Sequence, residues 1–140
     1  MQNKNLAEDY IKRAAIRLKA VEVLLNYKSY PDVVRESQEV VELALKALLR
    51  QSGIEPPRIH DVSAILQAEK SRIALDGSTV DRLAKISKSM RRDRELAFYG
   101  SEDLTPSEFY GEDDATLALN DARLVVAEVQ RVCPAGPSNV

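Results

Sequence analysis

The stretch RRDRELAFYG, residues 91–100, sets three guanidinium groups, Arg91, Arg92 and Arg94, just ahead of two aromatic rings, Phe98 and Tyr99. A guanidinium meets a phosphate through a planar fork of N–H donors, and an aromatic ring offers a face on which a base can stack. The chemistry this pattern suits is capture of a phosphate-bearing ligand. On an ideal helix Arg92, Leu96 and Tyr99 share one face, so Arg92 and Tyr99 are the first candidates for ligand contact, with Arg91 behind them. Arg94 instead follows the apolar line Leu83, Ser87, Met90, Arg94, Ala97 and is expected to face the interior. A guanidinium out of water must be paired, so Glu39, Glu42 or an acid of the 101–114 segment is its expected partner.

A second polar constellation lies in SQEVVELALKALL. Gln38, Glu42 and Lys46 recur at four-residue steps and form one line beside an apolar stripe. Glu42 precedes Lys46 in the favourable order for a helical ion pair, worth about 0.3–0.5 kcal/mol when exposed. Glu42, Lys46 and Arg94 are expected to support the arginine site from below.

Proton-transfer chemistry finds little here. His60 is the chain's only histidine; it stands at the start of a helix after a connector, where a capping or packing role is expected. Arginine keeps its proton at ordinary pH, and tyrosine, with an unperturbed pKa near 10, needs strong help to act as a base. No catalytic residue is assigned. The acidic segment GSEDLTPSEFYGEDD lacks the spacing of a calcium loop, and several of its acids fall where a helix start favours negative charge. No metal site and no cofactor are expected.

Charge is polarised along the chain, although the net charge is only −2. From Arg82 to Arg94 there are six bases and one acid, giving +5; from Ser101 to Asp114 there are six acids and no base, giving −6. Either the two segments neutralise one another or the basic one faces a partner. A single cysteine, Cys133, excludes an internal disulfide and a cysteine-based metal site. No leader and no membrane span are expected, since no apolar run nears the roughly 20 residues a bilayer requires. The cytoplasm is the expected compartment.

Helical periodicity runs through nearly all of the 140 residues. Leu6, Tyr10, Ala14, Leu18, Val21 and Leu25 predict a first helix fading near Asn26. Pro31 suits the first turn of a second, which carries Val33, Val34, Val40, Val41, Ala44, Leu45 and Leu48 and stops at Gly53. GIEPPRIHD reads as a connector. Asp61 is placed to cap a short third helix, and Ser78 with Asp81 gives a capping signal for a fourth along Val80, Leu83, Ala84, Ser87 and Met90. After a long acidic loop, Asp113 or Asp114 can cap a last helix with the stripe Ala115, Ala118, Leu119, Ala122, Val125, Val126 and Val129. The predicted fold is all-α, an antiparallel up-and-down bundle of four to five helices over residues 1–133, with 134–140 a flexible tail.

YPDVVRESQEVVELALKALLRQSGIEPPRIHDVSAIL resembles the second and third helices of the HEPN domain family, with its Gln…Glu…Lys-Ala helix, its glycine–proline connector and its His-Asp start. RRDRELAFYG, a proline-containing loop and GEDDATLALNDA are similar to the rest of that domain, so the resemblance covers about residues 5 to 132. It implies a bundle of four or five helices, often a homodimer, frequently working beside a minimal nucleotidyltransferase as a toxin–antitoxin-like pair, and binding nucleotides or RNA. Some relatives are metal-independent endoribonucleases with an arginine and, after four to six residues, a histidine at the end of the fourth helix. Aligned on Tyr99, that arginine falls on Arg92 and the histidine on Ala97. The imidazole is absent at that position. The resulting expectation is a non-catalytic protein that holds a nucleotide, an RNA or a nucleotidyltransferase. The alternatives are a divergent metal-independent endoribonuclease toxin and a purely protein-binding module.

Overall fold

Pro31, in the first turn, fixes φ where its missing N–H costs nothing, and a helix runs from it through the most apolar stretch of the chain. This is α2, Tyr30–Gln51, the centre of the molecule. In the computed structural model residues 2–99 and 105–134 are described, with side chains described over 4–91 and 105–134. Among them are also α1 (Gln2–Asn26), α3 (Ser63–Ala68), a single 3₁₀ turn (Lys70–Arg72), α4 (Gly77–Tyr99), α5 (Pro106–Phe109) and α6 (Glu112–Val132). No strand occurs among the described residues, and the all-α bundle is as predicted. The tail expected over 134–140 lies outside the described residues from 135 onward.

The helix α2 packs against α1, α6 and α4, and α1 also meets α6. The reason is its composition. Val33, Val40, Ala44, Leu45, Ala47, Leu48 and Leu49 are fully buried, and each large aliphatic among them contributes about 1.5–3 kcal/mol of transfer free energy. The predicted stripe of α6 is buried residue for residue, and that of α4 is buried as far as Met90; its continuation towards Ala97 and Phe98 lies outside the described side chains. The stripe of α1 is not buried throughout. Ala7, Ile11, Ala14 and Val21 face the core, while Leu6 is 39% exposed and Tyr10, Leu18 and Leu25 lie half-buried. Two apolar lines one residue apart share the same period. The small Ala7 and Ala14 let α1 approach its neighbours, which settles the phase.

The turns follow from backbone chemistry. Gly53, at φ +75°, ends α2 in a Schellman motif: its N–H donates to the Arg50 carbonyl and the N–H of buried Ile54 to that of Leu49. Lys28 adopts the same left-handed backbone (φ 61°) at the end of α1, with Ser29 N–H on the Leu24 carbonyl. Three local expectations need correction. The Asp81 carboxylate accepts from Lys70 Nζ at 2.6 Å, and Ser78 falls inside α4, which starts at Gly77. The acidic loop holds a helical turn, α5, capped by the Thr105 hydroxyl, which accepts the Glu108 N–H. Gly111 stands at the N-cap of α6, and Asp114 reaches back to accept its N–H at 2.8 Å.

Candidate site on the central helix

The expected Glu42–Lys46 pair forms, with Nζ 3.1 Å from Oε2 and both side chains four-fifths or more buried. What the chain pattern does not reveal is the other carboxylate oxygen. Oε1 of Glu42 lies 2.5 Å from Nδ1 of His60, 18 residues away on the connector. Because a carboxylate only accepts, Nδ1 carries the hydrogen, which leaves Nε2 as the ring nitrogen not engaged by Glu42. The ring is 45% exposed, so its bond to Glu42, more than burial, holds His60 in place.

The neighbouring Asp61 ties the connector to α4. Its carboxylate accepts the Ser63 N–H at 2.9 Å and the Ser87 hydroxyl at 3.2 Å, while Ser87 Oγ accepts the Val62 N–H at 3.1 Å. Burial raises the Asp61 pKa, but hydrogen bonds from Ser63 and Ser87 and the Arg91 charge outweigh it, and the carboxyl titrates below its ordinary value. Asp61 thus holds the start of α3 as expected, although Val62 is the N-cap residue. The connector's His-Asp pair is clamped between α2 and α4, with Arg91 one turn beyond Ser87.

Arg91 is exposed, as expected. With Arg82, Lys85 and Lys88, also exposed, it forms a diagonal basic band across the outer face of α4. One end acts electrostatically on Asp61; at the other, Arg82 lowers the pKa of Asp121, which burial raises by more. None of the four makes an ion pair with Glu108, Glu112, Asp113 or Asp114 of the acidic segment. Arg92, Arg94 and Tyr99 belong to the helical backbone of α4, but their side chains lie outside the described residues, as does the expected pairing of Arg94.

The helix α1 supplies a wall that sequence reading missed. Tyr10, Arg13 and Arg17 line a recess of about 280 Å³ with Glu39, Glu42, Leu43 and Lys46 of α2. The Arg50 guanidinium sits 5.6 Å from the Tyr10 ring centroid. The signal was present: residues 10, 13 and 17 fall on one helical face. What was missing was the packing angle that turns that face towards Lys46. At the other end of the polar line, Gln38 is 4% exposed and neither atom of its amide has a hydrogen-bond partner. No cluster of three metal-ligating side chains occurs among the described residues, and none of their helices is long and apolar enough to cross a membrane.

An all-helical bundle whose central helix presents a lysine–carboxylate pair to a connector histidine defines the class of protein. The chain belongs to the HEPN domain family, whose model matches residues 7–132. A protein of Methanocaldococcus jannaschii named "Putative toxin MJ1304" is 31% identical over 135 residues, covering 91% of this chain and 88% of its own length. No solved structure gives a significant match.

Proposed function

We propose that this HEPN-family protein is the RNA- or nucleotide-binding member of a toxin–antitoxin-like system, holding phosphate along α4 and beside His60 and Lys46. The observation that carries the reading is the exposed basic band Arg82, Lys85, Lys88, Arg91, which makes no ion pair with Glu108, Glu112, Asp113 or Asp114. The name of the archaeal relative supports the toxin-like setting. Arg92 and Tyr99 extend the band towards the end of α4 as phosphate and base contacts, with Glu42, Lys46 and Arg94 behind them. A homodimer and a minimal nucleotidyltransferase partner in the cytoplasm complete the reading; light scattering and co-purification from the native host test them. For binding itself, calorimetry with mononucleotides and short RNAs is the test. Arg91→Ala with Arg92→Ala, and separately Tyr99→Ala, weaken binding; unchanged affinity in both variants refutes the site.

One observation favours a catalytic second reading, a half-exposed histidine whose Nδ1 is held by Glu42. In that reading Nε2 takes the proton of an RNA 2′-hydroxyl as its oxygen attacks phosphorus. The bond to the 5′-oxygen breaks, and that oxygen receives the proton, leaving a 2′,3′-cyclic phosphate and a 5′-hydroxyl. RNA cleavage in EDTA that disappears in His60→Ala supports it; cleavage unaltered in that variant excludes it.

A further inference from the structure

Resting on the binding reading above, we infer that the recess between α1 and α2 is a second phosphate subsite, so that the ligand is a single-stranded oligonucleotide running from α4 across α2 to α1. The recess is lined by three cations, Arg13, Arg17 and Lys46, and two carboxylates, Glu39 and Glu42. Both oxygens of Glu42 are committed, one to Lys46 and one to His60. Glu39 has an interaction of its own. Arg13 meets Asp9 only at 3.6 Å, with both side chains about half exposed, and Arg17 makes no hydrogen bond or ion pair. The Asp9–Arg13 pair at i,i+4 gives α1 a little stability, but Arg17, one turn beyond Arg13, repels it, so helix stability gives no account of Arg17.

The position of the recess decides the class of ligand. Lys46 and Glu42 line it, and the same Glu42 holds His60, whose neighbour Asp61 feels Arg91. The α1 arginines, the Lys46 ammonium, the half-exposed His60 ring and the Arg91 end of the α4 band are therefore linked in series through Glu42 and Asp61. A mononucleotide engages one end of such a track. Only a chain of phosphates engages both. Arg13 and Arg17 are separated by a rise of about 6 Å, the scale of neighbouring phosphates in an extended strand. Tyr10 adds an aromatic ring beside them, as single-strand binders do.

The test uses the intact protein and fluorescein-labelled oligouridylates of one, four and eight nucleotides, with anisotropy read at stepped salt. The wild type is expected to bind the octamer more tightly than the monomer. Arg13→Ala with Arg17→Ala lowers octamer affinity about tenfold, more than it lowers that of the monomer, and flattens the octamer's salt slope by about 1.4, the share of two phosphate contacts on a single strand. Both arginines are exposed, and an unchanged melting curve confirms that the variant folds. Octamer binding and slope equal to wild type in the double variant overturn the subsite while leaving the α4 reading intact. A wild type that binds no RNA overturns both. Polyglutamate displacing the octamer at equal charge also overturns the inference, by showing a surface for acidic polymers in general.

Discussion

Nδ1 of His60 lies 2.5 Å from Oε1 of Glu42, and this contact joins the connector to the central helix. Lys46 occupies the other oxygen of the same carboxylate, so one side chain holds two cation-forming groups. Glu42 is 16% exposed, which gives each bond more weight than an open surface pair would have.

Glu42→Gln therefore costs more than a surface charge deletion. It leaves the largely buried Lys46 ammonium without a counter-charge and weakens the bond to His60. A loss of about 1–2 kcal/mol in urea denaturation is expected. A double-mutant cycle with His60→Ala should return a coupling of about 0.5–1 kcal/mol. A coupling of zero means the imidazole is not held.

Asp61 makes the stability of the α3–α4 junction depend on pH. Its folded pKa is depressed, so the folded state favours the carboxylate, and the stabilisation is fully present above the unfolded value, about 4. It is lost as pH falls from there through the folded pKa. Asp61→Asn is expected to lower stability by about 1–2 kcal/mol at pH 7, the range for a helix-start acceptor that also holds a buried hydroxyl. The melting-temperature gap between variant and wild type should narrow below about pH 4. A gap that stays constant to pH 2 assigns the effect to shape and not to charge.

The bundle was legible because helical period and cap residues are local properties. Pro31, Gly53 and the stripes of α2, α4 and α6 were readable from neighbours within a turn or two. The Glu42–Lys46 pair was readable for the same reason, being four residues apart on one helix. The His60 contact was not, since nothing in the connector says which face of α2 it crosses. Nor was the α1 wall, because Leu6–Tyr10 and Ala7–Ile11 offer two equally periodic phases, and only packing against α2 selects one. Ser78 and Asp81 misled by matching a cap pattern while Lys70, eleven residues before Asp81, claimed the carboxylate.

Lys28 stands at φ 61°, in the left-handed region where a Cβ crowds the backbone by about 1 kcal/mol or more. The Schellman geometry it completes is one glycine adopts freely, as Gly53 does at the end of α2. Lys28→Gly is expected to raise stability by about 0.5–1 kcal/mol, the relief of strain exceeding the added freedom of the unfolded chain. Gly53→Ala should move stability the other way by a similar amount. Its new Cβ would meet Arg72 Nη2 only at ordinary contact distance, 3.5 Å, so the loss would come from the backbone. Calorimetric melting of the two variants side by side checks both signs.

Gln38 sets stability against the site. Its amide is buried one turn before Glu42 with neither oxygen nor nitrogen bonded, and an orphaned polar group of this kind costs about 1–3 kcal/mol. Gln38→Met keeps the straight side chain and removes the orphan, so stability in urea is expected to rise by about 1 kcal/mol. Packing alone would have no reason to keep an amide there, since an apolar residue fills the space at lower cost. If the amide is retained for the polar line it shares with Glu42 and Lys46, the same variant loses severalfold in octamer affinity. A variant both more stable and undiminished in RNA binding would show that the site begins at Glu42 and that Gln38 lies outside it.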